Sequence, residues 1–195
     1  MGKAVLKAWF HAEKSKALHI RYQWKVDTND PPSLVDQYEM MHAIGFFEGG
    51  SLLEYKDAIR LFYNKIGGGS VLDYGCGKAR GWNEMKRELE YPLLSLYDPG
   101  FEPYKNKPDT KSDLVICTDV LEHIPEDELP DLIREIASFA NKGVFFGVST
   151  RESKKPLPDG RNAHLTVRSV TWWETFIYDL EIGVQWELNC DNGKN

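Results

Sequence analysis

The chain has 195 residues, 42% of them hydrophobic and 12% aromatic, with a formal net charge of −6. This composition suits one ordered domain with a buried core and excludes a disordered or low-complexity chain. No apolar run approaches the roughly 20 residues that cross a bilayer. No secretory segment follows Met1-Gly2-Lys3-Ala4, and three cysteines (Cys76, Cys117, Cys190) read as reduced thiols of a cytoplasmic protein.

Charge is unevenly spread. Residues 1–26 carry Lys3, Lys7, Lys14, Lys16, Arg21 and Lys25 against Glu13 alone, a surplus of five that leaves −11 on the remainder. Trp9, Phe10, Tyr22 and Trp24 lie among these cations, a mixture that can hold a nucleic-acid strand. The preferred reading is simpler. Leu18, Ile20, Tyr22, Trp24 and Val26 alternate with polar residues as one face of a strand, and the charges form its wet face. Asp27-Thr-Asn-Asp-Pro-Pro-Ser33 is a turn, dividing a basic extension (1–32) from a main domain (33–195). Ser33-Leu34-Val35-Asp36 and Ser51-Leu52-Leu53-Glu54 both have the form of capping boxes ahead of helices. The second helix carries Leu52, Tyr55, Ile59, Phe62 and Ile66 on one side and stops at Gly67-Gly68-Gly69.

Val71-Leu72-Asp73-Tyr74-Gly75-Cys76-Gly77-Lys78-Ala79 reads as a strand that breaks into a tight glycine turn and then a helix, where Trp82, Met85 and Leu89 recur at helical spacing. The third glycine of a dinucleotide fingerprint falls on Arg80, so a pyrophosphate is not the expected ligand. Pro92–Tyr97 is a second strand. It ends at Asp98, 23 positions beyond Gly75 and close to the offset at which an acid grips ribose hydroxyls. Asp113–Thr118 is a third apolar run, ending at Asp119. The next helix has Leu129, Leu132, Ile133, Ile136 and Phe139 as its stripe and Asn141-Lys142-Gly143 as its expected stop. Val144–Val148 is a fourth strand, Lys154–Gly160 a loop, Thr171-Trp172 a helix start, and Ile182–Cys190 strand-like. Strands alternating with helices predict a parallel sheet.

From about residue 33 to 190, VLDYGCGKA, the acid-ended second strand, CTDVLEHIPEDEL and HLTVRSVTWWETF resemble a class I S-adenosylmethionine-dependent methyltransferase. The resemblance implies an α/β fold: a Rossmann-like, doubly wound, mostly parallel sheet of seven strands flanked by helices. The 98–113 interval is too short for a full helix and strand, so the third strand is expected to be abbreviated. With only Ile182–Cys190 strand-like after Leu180, the C-terminal region is expected to be abbreviated too. It also implies that Asp73, Gly75, Cys76 and Gly77 form the cofactor loop, with Asp98 and Pro99 at the ribose and Asp119 and Val120 towards the methionyl end. Tyr38 and His42, on the helix before the loop, become candidates to cover the cofactor.

The cofactor is then S-adenosylmethionine, and the chain's task is to align an acceptor and remove a proton where the acceptor is a hydroxyl. His123, His164 and Glu122 are the catalytic candidates, since imidazole titrates near neutrality, Glu122 and His123 follow a strand end, and His164 closes a loop on the same edge. Asp119, Glu122 and His123 are spaced i, i+3, i+4, and with His164 they make two carboxylates and two imidazoles, a set suited to Mg²⁺, Mn²⁺ or Zn²⁺. A metal is not the favoured reading. The favoured one is methyl transfer to O or N of a small-molecule acceptor. The alternatives are a nucleic-acid ribose 2′-O-methyltransferase, metal-assisted or not, reaching its substrate through the N-terminal segment, and a non-catalytic cofactor-binding module that docks a partner on an unpaired sheet edge.

Overall fold

The computed structural model describes residues 5–11, 19–25, 32–90 and 92–191. β1 (Val5–His11) and β2 (His19–Lys25) pair antiparallel, from Val5↔Lys25 to His11↔His19, as a two-stranded sheet of their own. β2 falls where alternation predicts a strand, while β1 has no counterpart in the sequence reading. The turn expected at residues 27–31 and the basic residues Lys3, Lys14 and Lys16 lie outside the described residues.

α1 (Leu34–Ala43) begins on the expected capping box: Ser33 Oγ accepts the Asp36 N–H and Asp36 Oδ2 accepts the Ser33 N–H, both at 3.1 Å. The second expected box does not form. Ser51–Tyr55 is a 3₁₀ turn, and α2 (Lys56–Lys65) starts behind Tyr55 with no side-chain cap. The reason is tertiary, because the Ser51 hydroxyl is spent on the Asp119 carboxylate.

The main sheet has five strands, all parallel, in the order β4-β3-β5-β6-β7: β3 (Val71–Tyr74), β4 (Leu94–Tyr97), β5 (Ser112–Thr118), β6 (Ala140–Ser149) and β7 (Gln185–Asp191). Between them run α3 (Trp82–Glu88), α4 (Leu129–Ser138) and α5 (Val170–Asp179). The two-residue period of a strand sends alternate side chains to opposite faces. Val71, Leu114, Ile116 and Phe145 thus join Ile59, Phe62 and Met85 of α2 and α3 in one cluster. Leu72, Val115, Cys117, Val144 and Phe146 join Ile133, Ile136, Trp173 and Ile177 of α4 and α5 in the other. Both faces are covered, which is why these strands read as continuous apolar runs.

The stop expected at Asn141–Gly143 is corrected. α4 ends at Ser138 with Phe139 as its C-cap, and residues 140–143 are already strand, because Ser112↔Ala140 and Leu114↔Gly143 pairing captures them. The abbreviated third strand is absent among the described residues, where the 98–112 interval holds only a 3₁₀ turn at Glu102–Tyr104. β4 is therefore one edge. At the other edge, the C-terminal region contributes a single strand, β7, parallel to β6. The seven strands implied by the resemblance are five in the main sheet among the described residues. The carboxyl ends of β3, β4, β5 and β6 lie side by side, and they carry Gly75, Asp98, Asp119 and Thr150.

Candidate active site

β3 ends at Tyr74 and the chain turns on Gly75 (φ 83°) and Gly77 (φ 54°). Glycine is required at both. A Cβ on Gly75 would lie 2.2 Å from Val120 Cγ2, and one on Gly77 would lie 2.5 Å from the Phe47 carbonyl oxygen. The loop's amides are fully engaged. Gly75 and Cys76 donate to the Tyr97 carbonyl at 2.7 and 3.1 Å, and Gly77 donates to Asp98 Oδ2 at 2.7 Å. Ala79 closes back on Cys76, while Lys78, Arg80 and Gly81 donate to the carbonyls of Phe47, Glu48 and Gly49 at 3.2, 3.1 and 2.8 Å. Phosphates bind such turns through free N–H groups. No amide from Gly75 to Gly81 is free, so this loop offers no pyrophosphate grip. It offers close backbone approach and an acid beyond it.

That acid is Asp98, buried at the end of β4. Its Oδ2 accepts the Gly77 N–H and its Oδ1 accepts the Gly100 N–H at 2.9 Å, and each oxygen keeps a second lone pair. His42 Nε2 stands 3.6 Å from Oδ1, with its ring between Phe47 and Phe101. Asp98 lines a mainly apolar chamber with Tyr38, Phe47, Tyr74, Val120 and Leu132. A second, more polar chamber adjoins it. Phe47, Gly75, Asp119 and His123 line both, and Ser51, Ser153, Lys155 and His164 line the second.

Asp119 takes the left-handed conformation (φ 54°), which turns the chain back at the end of β5 into a 3₁₀ turn, Leu121–His123. This fold-back brings Asp119 and Glu122 together. Burial raises both carboxyls, furthest for Glu122, which has no solvent exposure. Glu122 Oε1 accepts the Ser149 N–H at 2.8 Å, whereas Oε2 meets no donor. Its neighbour is the Asp119 carboxyl, and two such groups hydrogen bond only when one carries a proton.

His123 Nδ1 lies 2.8 Å from the Ala163 carbonyl, which can only accept, so Nδ1 carries the hydrogen and Nε2 keeps a lone pair. His164 repeats the arrangement, with Nδ1 2.6 Å from the Arg151 carbonyl. The two rings are perpendicular with centroids 4.7 Å apart. Burial, with His164 beside it, lowers His123 to about 3, so its imidazole is neutral at pH 7. Tyr38 stands edge-on to His123 with its hydroxyl 3.0 Å from Nδ1, and burial pushes that phenol up.

A family model described as a methyltransferase domain matches residues 52–180, which takes in the glycine loop, Asp98 and the 119–123 turn. The chain belongs to the class I S-adenosylmethionine-dependent methyltransferases. No curated protein and no solved structure matches it significantly. The residues of this methyltransferase fit the methyl donor. Gly75 and Gly77 leave the space a Cβ would fill, Asp98 has two spare lone pairs for vicinal hydroxyls, and Asp119 sets a carboxylate beside the loop for a cationic group.

Of the residues expected to bind the cofactor, Gly75, Asp98, Pro99, Asp119 and Val120 line the apolar chamber and Gly77 lines the polar one. Asp73 and Cys76 line neither. Asp73 accepts the Trp82 indole N–H at 2.6 Å, and burial raises its carboxyl to about 7, so it supports the loop from behind. Cys76 is buried in the turn, its thiol pushed up by burial. Tyr38 and His42 both line the apolar chamber, and Glu122, His123 and His164 come together, with one ligand atom of each within 4.8 Å of the others. The sequence reading missed Trp82 as the partner of Asp73 and the Phe47–Gly49 strap over the loop. The strap had one signal, Gly49-Gly50: a Cβ on Gly49 would lie 2.1 Å from the Cys76 carbonyl oxygen.

Proposed function

We propose that this methyltransferase acts on a hydroxyl of a small acceptor that also carries an anionic group, bound in the polar chamber. The carrying observation is the charge of the walls. Among the described residues, Lys155 is the one lysine or arginine lining either chamber, against the carboxylates of Asp98, Asp119 and Glu48. A nucleic-acid strand is held by several cations along its phosphates, whereas one ammonium suits one carboxylate or phosphate. Lys155 Nζ rests over the rings of Phe46 and Phe47 at 4.9 and 5.3 Å, which fixes it at the chamber wall.

S-adenosylmethionine supplies a methyl group that is electrophilic because it sits on a sulfonium. Asp98 holds the ribose hydroxyls, and the Gly75–Gly77 backbone sets the depth of the donor. Tyr38, Phe47 and His42 wall the apolar chamber and exclude water from the line of attack. The imidazoles of His123 and His164 face the acceptor hydroxyl and orient it, while Glu122, beneath them, holds the 3₁₀ turn on Ser149. Three unpaired cysteines suit a reducing, cytoplasmic setting, and among the described residues no helix is long and apolar enough to cross a membrane.

The test is methyl-labelled S-adenosylmethionine with small hydroxy acids and phenolic acids, run beside RNA and DNA at ~50 and ~200 mM salt. Label should pass to the oxygen of a small acid, unaffected by added nucleic acid. Transfer confined to RNA and lost steeply with salt would overturn the small-acceptor reading. Product methylated only on nitrogen would overturn the hydroxyl.

A further inference from the structure

We propose that Glu122, His123 and His164 hold a divalent transition-metal cation at the boundary of the two chambers. One oxygen of Glu122 and one ring nitrogen of each histidine lie within 4.8 Å of one another. Bonds of ~2.1 Å gather three such atoms after side-chain shifts of less than about one ångström. Both imidazoles are set as ligands usually are. Nδ1–H is tied to a backbone carbonyl, Ala163 for one and Arg151 for the other, which fixes the tautomer and presents Nε2 as the lone pair.

Glu122 Oε2 supplies an independent observation. It is fully buried and meets no donor, and the Asp119 carboxyl beside it can bond to it only through a proton that the two share. An orphaned carboxylate oxygen inside a protein is costly unless a proton or a cation stands against it. The turn that carries it is held rigidly, since the Thr166 N–H donates to the Glu122 carbonyl and the Ser149 N–H to Oε1. Two imidazoles and one carboxylate favour Mn²⁺, Co²⁺ or Zn²⁺ over Mg²⁺ or Ca²⁺, and three protein ligands leave positions open on the chamber side.

The cation's part in catalysis rests on the O-methylation reading, although its binding does not. An acceptor hydroxyl on an open position gives up its proton to water. Its oxygen then bonds to the methyl carbon as the carbon–sulfur bond breaks, leaving S-adenosylhomocysteine with the electron pair.

The experiment titrates Co²⁺ into tag-free, chelator-stripped full-length protein, following visible ligand-field absorption and heat. S-adenosylhomocysteine affinity is measured on the same samples. One Co²⁺ per chain is expected. Half-buried His164→Gln should weaken Co²⁺ by about tenfold or more and keep S-adenosylhomocysteine, which shows that the variant is folded. Asp98→Ala should do the reverse. Wild-type protein that takes up no Co²⁺, or His164→Gln protein that takes it up equally well, overturns the proposal and leaves a proton shared by Asp119 and Glu122. Either outcome leaves the methyltransferase assignment standing. Loss of S-adenosylhomocysteine binding in wild type is the separate result that strikes at the donor site.

Discussion

Along the glycine loop every amide from Gly75 to Gly81 already has a protein partner, whereas Glu122 Oε2, fully buried beside the Asp119 carboxyl, meets no donor. The first region is complete before any ligand arrives and selects by shape and by the one acid at its rim. The second gathers a buried carboxyl pair, Asp119 and Glu122, beside the perpendicular imidazoles of His123 and His164. The loop is built from neighbours in sequence and one strap. The polar chamber draws on residues 51, 119–123, 149–155 and 163–164, which meet only through the fold.

The sharpest way to break this contrast is to disturb the finished wall. Gly77→Ala places a methyl 2.5 Å from the Phe47 carbonyl, backbone that cannot swing aside, at a φ of 54°. Left-handed strain of ~1–2 kcal/mol and overpacking of ~1–3 kcal/mol should together cost about a hundredfold in S-adenosylhomocysteine affinity. Calorimetry showing wild-type affinity would mean that the loop adapts and is not preformed.

Asp98→Asn tests the rim. It removes the charge that receives the Gly77 and Gly100 amides and, by inference, two hydroxyls. At ~1.5–3 kcal/mol for hydrogen bonds to a charged group, donor affinity should fall by about tenfold to a hundredfold, with KM for the methyl donor rising more than kcat falls. A variant that lowers kcat alone would place Asp98 outside the donor site.

The smallest effect concerns the support behind the wall. Asp73 titrates at about 7 in the folded protein because it is buried, against an ordinary 3.8. Between those values the native state holds a proton that the unfolded chain has released. This group therefore adds stability as pH falls from about 7 towards 3.8, and costs stability above 7. Asp73→Asn keeps an acceptor for the Trp82 indole and should remove this part of the pH dependence. Tm measured from pH 8 to 6.5 should rise less on acidification in the variant than in wild type. Parallel curves would show that Asp73 does not titrate in this range.

Much of the glycine turn and the acid beyond it was legible in the chain. Asp73–Gly77 and Asp98 were readable because a strand, a glycine turn and an acid at fixed offset are local facts, and the apolar runs of β5 and β6 were readable because both faces of the sheet are covered. Local signals also misled. Ser51 looked like a helix cap but serves Asp119, and Asn141–Gly143 looked like a helix stop but was taken up by strand pairing. In both places a tertiary partner outbid a short-range preference of about 1 kcal/mol.

The sequence by itself determined the family, the parallel sheet and the glycine turn, since hydrophobic period and glycine placement act within a few residues of one another. Only the tertiary structure decided that the sheet stops at five strands, that Phe47–Gly49 straps the loop, and that His164 arrives beside His123. Those outcomes depend on closing long loops against particular packed surfaces, and the pattern of a single segment carries no information about the surface it will meet.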